Sequence, residues 1–274
     1  KKMKIVSSGK VLNSSEFYKK KQRRRHIRLV LISIGFLLLV FSFVYFSRYE
    51  QFQIVEIRVS GEEVIDREKI VSIVQESLVG HYLWVIPKAN TFIYPRRTIK
   101  ETLFKEFPRL KSISLDLNDF HVLSINIEER MPSALYCQNT TDCFFLDEDG
   151  LIFASAPSFS GDVYFVYTTQ TPVEDPVGKR FMVVEEFRNL SKFIETLTVL
   201  DIDPKAFEVG DSEYSLILPT GGKIIWRRDT DLTLIHSNLE AFLSDDSIRT
   251  QSHFLDKILH LDLRTENKVF YKFK

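Results

Sequence analysis

The chain has 274 residues and balances 37 Lys and Arg against 37 Asp and Glu, with two cysteines and six histidines. The balance is not uniform: 11 of the bases and a single acid, Glu16, fall in residues 1–28, so the rest carries 26 bases against 36 acids, a net −10. That charge excludes nucleic acid as a partner of the larger part, because binding phosphates needs a positive surface, and it reads as a solvated face.

Residues 29–47 (LVLISIGFLLLVFSFVYFS) form one uncharged apolar run directly after Lys19, Lys20, Lys21, Arg23, Arg24 and Arg25. At about 1.5 Å of rise per residue such a helix spans roughly 28 Å, close to the ~30 Å hydrocarbon core of a bilayer. The pattern predicts a transmembrane helix over 29–47 and a basic cytoplasmic tail over 1–28, since positive flanks stay inside, with the remainder extracytoplasmic. A cleaved signal peptide shares the basic flank. Against it, Phe43, Val44, Tyr45 and Phe46 are bulky where a small-x-small cleavage site is required. Tyr45, Phe46 and Tyr49 with Arg48 suit an outer interface. The tail's charge fits both a topology signal and contact with acidic headgroups.

Beyond the span the pattern turns to strand. Phe52, Ile54, Ile57 and Val59 alternate imperfectly with Gln53, Glu56 and Arg58 up to the Ser60-Gly61 turn. A helix follows, capped by Asp66, with Ile70, Ile73, Val74 and Leu78 at helical spacing and Gly80 ending it. A second helix starts near Pro95, carries Ile99, Leu103 and Phe107 on one stripe, and closes at Pro108. Two strands come next, the first with Leu110, Ile113, Leu115 and Leu117, the second with Val122, Ser124, Ile125 and Ile127, joined by a turn at Asn118-Asp119. The order β-α-α-β-β takes about 80 residues, enough to support its own core.

Residues beyond Pro132 read as a second, strand-rich domain. Cys137 and Cys143, separated by QNTTD, are placed to staple the base of a strand-connecting loop, stabilising it by about 2 kcal/mol if oxidised; two free thiols remain the alternative. Neither cysteine lies near a paired His or in a CxxC, so no metal site is expected. Asn139-Thr140-Thr141 fits a glycosylation pattern, relevant only in a eukaryotic secretory route. Phe144 to Phe153 holds two apolar runs joined at Asp147-Glu148-Asp149-Gly150, where Gly150 supplies a positive φ; a calcium loop is disfavoured because the distal ligands do not follow. A helix is predicted over 183–197 from Val184, Phe187, Leu190, Ile194 and Leu197. Strands over 214–218 and 223–226 flank Pro219-Thr220-Gly221-Gly222, a hairpin signal. Another helix over 231–243 buries Leu232, Ile235, Leu239 and Phe242 behind Asp231. Two strands, near 257–263 and 268–273, close the pattern. Residues 161–178 show none.

Four segments of the first domain, VEIRVSG (55–61), GHYLWVI (80–86), EFPRLKSI (106–113) and IEERMPSAL (127–135), give it a resemblance to the membrane-proximal POTRA domain of the FtsQ/DivIB family of bacterial division proteins. The last segment is the most specific, matching an E-x-R-x-P-x-A exit pattern through Glu128, Arg130, Pro132 and Ala134. The second domain resembles the family's β domain, which ends in a DLR sequence, a short turn and an aromatic strand, here Asp262-Leu263-Arg264 followed by Val269-Phe270-Tyr271. One departure is Ile224-Ile225-Trp226-Arg227, where many members carry a small residue after the strand. The fold class implied is α+β: a single transmembrane helix, a POTRA-like βααββ domain over 50–130, and a strand-rich β domain over 131–274 with two or more helices.

No catalytic constellation stands out. The histidines are scattered, and HExxH, G-x-S-x-G, a P-loop and G-x-G-x-x-G are absent from the sequence, so neither an enzyme, a cofactor nor a small-molecule substrate is expected. Asp262 and Arg264 fall on one face of a strand, as a structural ion pair or a partner contact. A last strand lies at a sheet edge, where its free N–H and C=O groups either accept a strand from another protein or are protected by the fold. The family resemblance favours the former: it implies docking of the single-span partners FtsB/DivIC and FtsL on this strand, with Arg264, Asn267, Lys268, Val269, Phe270 and Tyr271 as partner-binding residues. It also implies a divisome scaffold at the septum of the plasma membrane that helps regulate septal peptidoglycan synthesis. The alternative is a POTRA-containing component of polypeptide transport or chaperoning.

Overall fold

The computed structural model describes residues 14–157, 163–249, 253–265 and 268–274, and places the apolar run inside one long helix, α1 (Ser14–Ser47). From Lys19 to Ser47 this helix is long and apolar enough to cross a membrane, with a mean hydropathy of 2.7 over its most apolar stretch and no part of that stretch buried against protein. Among the described residues nothing covers most of Leu37, Leu38, Leu39 or Phe41. Their burial is left to the surroundings.

Packing divides the described residues between two compact units, one of residues up to 58 with 71–99 and 115–125, the other of 59–70, 100–114 and 126–274. After α1 a single turn of 3-10 helix (Glu50–Phe52) precedes β1 (Glu56–Ser60). The strand predicted from Phe52 therefore starts four residues late: Phe52 sits in the turn, and Ile54 donates its N–H to Ala89 at 2.8 Å. Then come α2 (Arg67–Leu78), the two-residue strands β2 (His81–Tyr82) and β3 (Ile86–Pro87), α3 (Arg96–Glu106), β4 (Leu110–Asn118) and β5 (Val122–Glu129). The strands β1, β5 and β4 make one sheet in that spatial order, and β2 pairs with β3. Asp66 caps α2 by accepting from the Glu68 N–H at 2.9 Å, and Ile70, Val74, Ile99 and Leu103 point their stripes into the core. Positive φ falls on Asp119 and Phe120, so the β4–β5 turn sits one residue later than Asn118-Asp119. Gly61, at φ 87°, stands where an added Cβ would meet the Ile127 carbonyl oxygen at 2.1 Å.

The rest of the chain builds a nine-stranded sheet. Its strands are β6 (Ala134–Cys137), β7 (Cys143–Leu146), β8 (Ile152–Ser155), β9 (Val166–Thr169), β10 (Ala206–Val209), β11 (Glu213–Ile217), β12 (Lys223–Arg227), β13 (Ile258–Thr265) and β14 (Lys268–Phe273), in the spatial order β14-β13-β12-β11-β10-β9-β6-β7-β8. Helices α4 (Val184–Leu197) and α5 (Leu232–Ser244), with the short α6 (Asp246–Arg249) and α7 (Phe254–Lys257), fill the crossovers that parallel pairing of β9 with β10 and of β12 with β13 requires. Phe187, Leu190, Phe193, Ile194 and Leu197 of α4 and Ile235 and Leu239 of α5 pack on Tyr167, Phe207, Tyr214, Leu216 and Trp226. Leu232 and Phe242, predicted buried, are partly buried and pack against the same core. The fold is thus mixed α+β with two sizeable sheets.

Candidate functional site

The last strand, β14, is the end of the nine-stranded sheet, and among the described residues no strand lies beyond it. Its inner side runs antiparallel to β13, with Leu261 opposite Tyr271 and Asp262 opposite Phe270, and the register shifts twice along the pair. The shifts add local twist to the edge. At the opposite end of the sheet the situation differs. Ile152 of β8 donates its N–H to Lys179 at 2.9 Å and accepts from Gly178 at 2.7 Å, and Leu151 bridges Arg180, so residues 178–180 cover the start of that edge strand. A six-residue strand such as β14 offers about 20 Å of unpaired backbone.

Side chains of β14 divide by face. Val269 packs on the core, and Tyr271 packs on Phe242 at 5.5 Å and Phe254 at 6.0 Å between ring centroids, while Phe273 meets Phe254 at 5.4 Å. Phe270 belongs to the other face and is 53 % exposed, and Lys268 is exposed as well. Asn267 lies outside the described residues. Lys274 holds the end of the strand, donating its N–H to Lys257 at 3.0 Å and its Nζ to Thr220 at 2.7 Å. The helix-side aromatic pair Phe242 and Phe254 was not read from the sequence as part of this site. Its signal was the alternation of Val269, Tyr271 and Phe273, which marks one face of the strand as apolar.

Arg264, at the end of β13, turns its guanidinium to acids of its own chain. Nη2 donates to Asp262 at 2.6 Å, Nε donates to the same carboxylate at 3.0 Å, and Nη1 reaches Glu213 at 3.1 Å. The Asp262 carboxylate raises the Arg264 pKa, and the guanidinium holds Asp262 below the usual carboxylate range. The ion pair orients the fork on the face that also carries Phe270, and a partner carboxylate would join or displace these contacts.

Elsewhere the polar groups are engaged locally. The structure joins Cys137 and Cys143 by a disulfide across the directly opposed ends of β6 and β7. Asp147 accepts from the Asp149 N–H at 2.9 Å and the Leu151 N–H at 2.8 Å and pairs with Arg130. Gly150 takes φ 70°, and an added Cβ would meet the Phe187 ring at 2.8 Å. Burial pushes the Tyr167 hydroxyl up to about 12, which keeps it protonated beside Ser191. Among the described residues no group of three or more His, Cys, Asp and Glu is arranged to hold a metal.

The described residues define a mixed α+β protein with one helix suited to crossing a membrane and a sheet that is open at β14 and partly covered at β8. No family model matches the chain, and no curated protein matches it.

Proposed function

We propose that the chain is a non-enzymatic, single-pass membrane scaffold of bacterial division, similar in its work to the FtsQ/DivIB proteins. In this reading α1 holds it in the plasma membrane at the septum with the basic tail in the cytoplasm, and the outer part is a POTRA-like domain followed by a partner-binding β domain. The partners are FtsB/DivIC-type and FtsL-type single-span proteins that add a strand to β14 and so help regulate septal peptidoglycan synthesis. The observation that supports this reading is the open edge of β14, flanked by exposed Phe270 and the oriented Arg264, in a sheet whose other end is partly covered.

The test is a pull-down of detergent-solubilised full-length chain from source-cell membranes, run beside Phe270→Asp. Recovery of small single-span coiled-coil proteins by the native chain and their loss from the variant is the expected result. Equal recovery by both would take the partner site off β14, and recovery of assorted unfolded polypeptides would favour the transport reading instead.

A further inference from the structure

The turn between β2 and β3 is Tyr82-Leu83-Trp84-Val85, closed by the Val85 N–H donating to Tyr82 at 3.0 Å. Leu83 and Trp84 both take left-handed backbone, at φ 47° and 65°. The connection has three residues, 83–85, and left-handed positions in a tight turn are the usual place for Gly, Asn or Asp, because bulky side chains crowd the backbone there. Here it carries two of the largest apolar side chains, and they are 90 % and 93 % exposed. Among the described residues almost nothing covers either side chain, and a strained, solvated apolar tip calls for a reason outside the chain.

The position of the tip supplies one. The end of α1 is tied to this hairpin and to the segment that follows it: Nε of Arg48, the residue after the helix, donates to the Val85 carbonyl at 2.9 Å, and Nδ2 of Asn90, a residue only 3 % exposed, donates to the Ser47 carbonyl at 3.0 Å. The apolar run of α1 ends at Ser47 and the first charge after it is Arg48. The bond to Val85 therefore sets the hairpin at the level where the helix leaves the hydrocarbon. Leu83 and Trp84 are within two residues of Val85, about 7 Å of chain at most. The polar layer on each side of a bilayer is about 5–8 Å deep, a depth comparable with that reach, so the tip is within range of it. A row of rings starts at the same place, with Tyr49, Phe52, Phe92 and Phe120 in successive contact at 6.4, 5.6 and 6.2 Å. Tyr49, Phe92 and Phe120 are exposed.

We infer that the Leu83-Trp84 hairpin is a second membrane contact, inserting its tip among the outer-leaflet lipids beside α1 and fixing the adjoining unit close to the bilayer. The inference rests on reading α1 as a span. Its occupant is the headgroup and upper acyl region of a phospholipid bilayer, since the contact is apolar and aromatic, the chemistry of interfacial anchors, and the net −10 beyond residue 28 gives anionic lipid no electrostatic pull. Lipid burial removes the exposure cost of both side chains and leaves only the turn strain.

The chain has two tryptophans, and Trp226 is fully buried, so lipid-dependent fluorescence reports Trp84. Full-length protein is reconstituted in phosphatidylcholine vesicles with and without bromine on the upper acyl chain, and quenching by bromine is compared with quenching by aqueous iodide. Expected are strong bromine quenching, weak iodide quenching, and loss of the bromine response in Trp84→Phe and its reduction in Leu83→Asp. Retained Trp226 emission shows that the variants are folded. Protein that resists alkaline carbonate extraction while iodide still quenches Trp84 freely would overturn the hairpin contact alone. Release by carbonate would overturn the span and the inference with it.

Discussion

Glu129 is the charge most deeply set by the backbone. One carboxylate oxygen accepts the N–H groups of Glu63, Val64 and Ile65 at 2.8, 3.0 and 2.9 Å, in a residue only 7 % exposed. Burial raises its pKa, but the three N–H donors and then Arg109 outweigh it, and the net shift is downward. A carboxylate with a lowered folded pKa adds stability that is present above its ordinary value near 4.5 and is lost as pH falls through the lowered one. Glu129→Gln keeps an acceptor oxygen but removes the charge, and should cost roughly 1–3 kcal/mol at neutral pH. Thermal unfolding of the detergent-solubilised chain at pH 7 and in acid checks this: the gap between native and variant should narrow in acid, and a pH-independent gap would mean that shape and not charge holds the segment. At the hairpin tip the sign is opposite. Leu83→Asn with Trp84→Gly relieves two left-handed positions and should raise the melting temperature in detergent, by up to about 2 kcal/mol of stability. A lower melting temperature would show that the tip carries protein contacts.

On the scale of elements, Phe270 and Tyr271 of β14 are not equivalent, although both are exposed, at 53 % and 45 %. Tyr271→Asp would place a charge against Phe242 and Phe254, so lost binding in that variant would not separate contact from unfolding. Phe270→Asp changes an exposed side chain and should leave stability within about 0.5 kcal/mol while lowering partner affinity, whereas Tyr271→Ala should lower stability by roughly 1–3 kcal/mol. Urea unfolding of both variants decides it; equal losses would mean that both faces of β14 are structural. The β6–β7 hairpin gives a second check. Cys137→Ser with Cys143→Ser opens a loop of sequence separation 6 and should cost about 2 kcal/mol in unfolding free energy. What was legible follows the same physics. Helices α2, α3, α4 and α5 were readable because a 3.6-residue apolar stripe needs only local sequence, and the β11–β12 hairpin because Gly221 and Gly222 mark its turn. Strand β9 was not, since it lies within a stretch that showed no pattern. Four residues, Val-Tyr-Thr-Thr, pair in parallel with both β10 and β6, and that placement depends on partners far along the chain. The terminal strand was visible as an aromatic alternation and the Asp262–Arg264 pair as an i, i+2 spacing on one strand face, but the third bond of Arg264 comes from Glu213, fifty-one residues away, and no local pattern carries it. The two short strands around Leu83-Trp84 were equally hidden, because their turn defies the residue preferences by which turns are recognised.

For the whole molecule, the proposed orientation rests on the distribution of charge along the chain. Residues 1–28 hold 11 of the 37 bases, the cluster at 19–25 is continuous with the apolar part of α1, and the larger part beyond carries the acid excess. Moving Lys or Arg through the centre of a bilayer costs about 2.5–3.5 kcal/mol each on insertion scales, so six clustered bases resist translocation far more than their neutral counterparts would. Replacing Lys19, Lys20, Lys21, Arg23, Arg24 and Arg25 with Asn should therefore leave α1 able to insert but let part of the population insert with the opposite orientation. Protease added to intact spheroplasts reads the result. The native chain should lose everything beyond α1 while its basic tail is protected, and the neutral variant should yield a second population in which the large part survives. An unchanged digestion pattern would mean that the bulk of the chain beyond α1, and not the basic cluster, fixes orientation, since long segments can translocate with little regard to flanking charge. The same assay bears on the hairpin contact, because Leu83 and Trp84 can reach the outer leaflet only in the population whose larger part lies outside. Trp84 quenching by brominated lipid in sealed vesicles should track the protease-sensitive fraction when the two are measured on the same preparation.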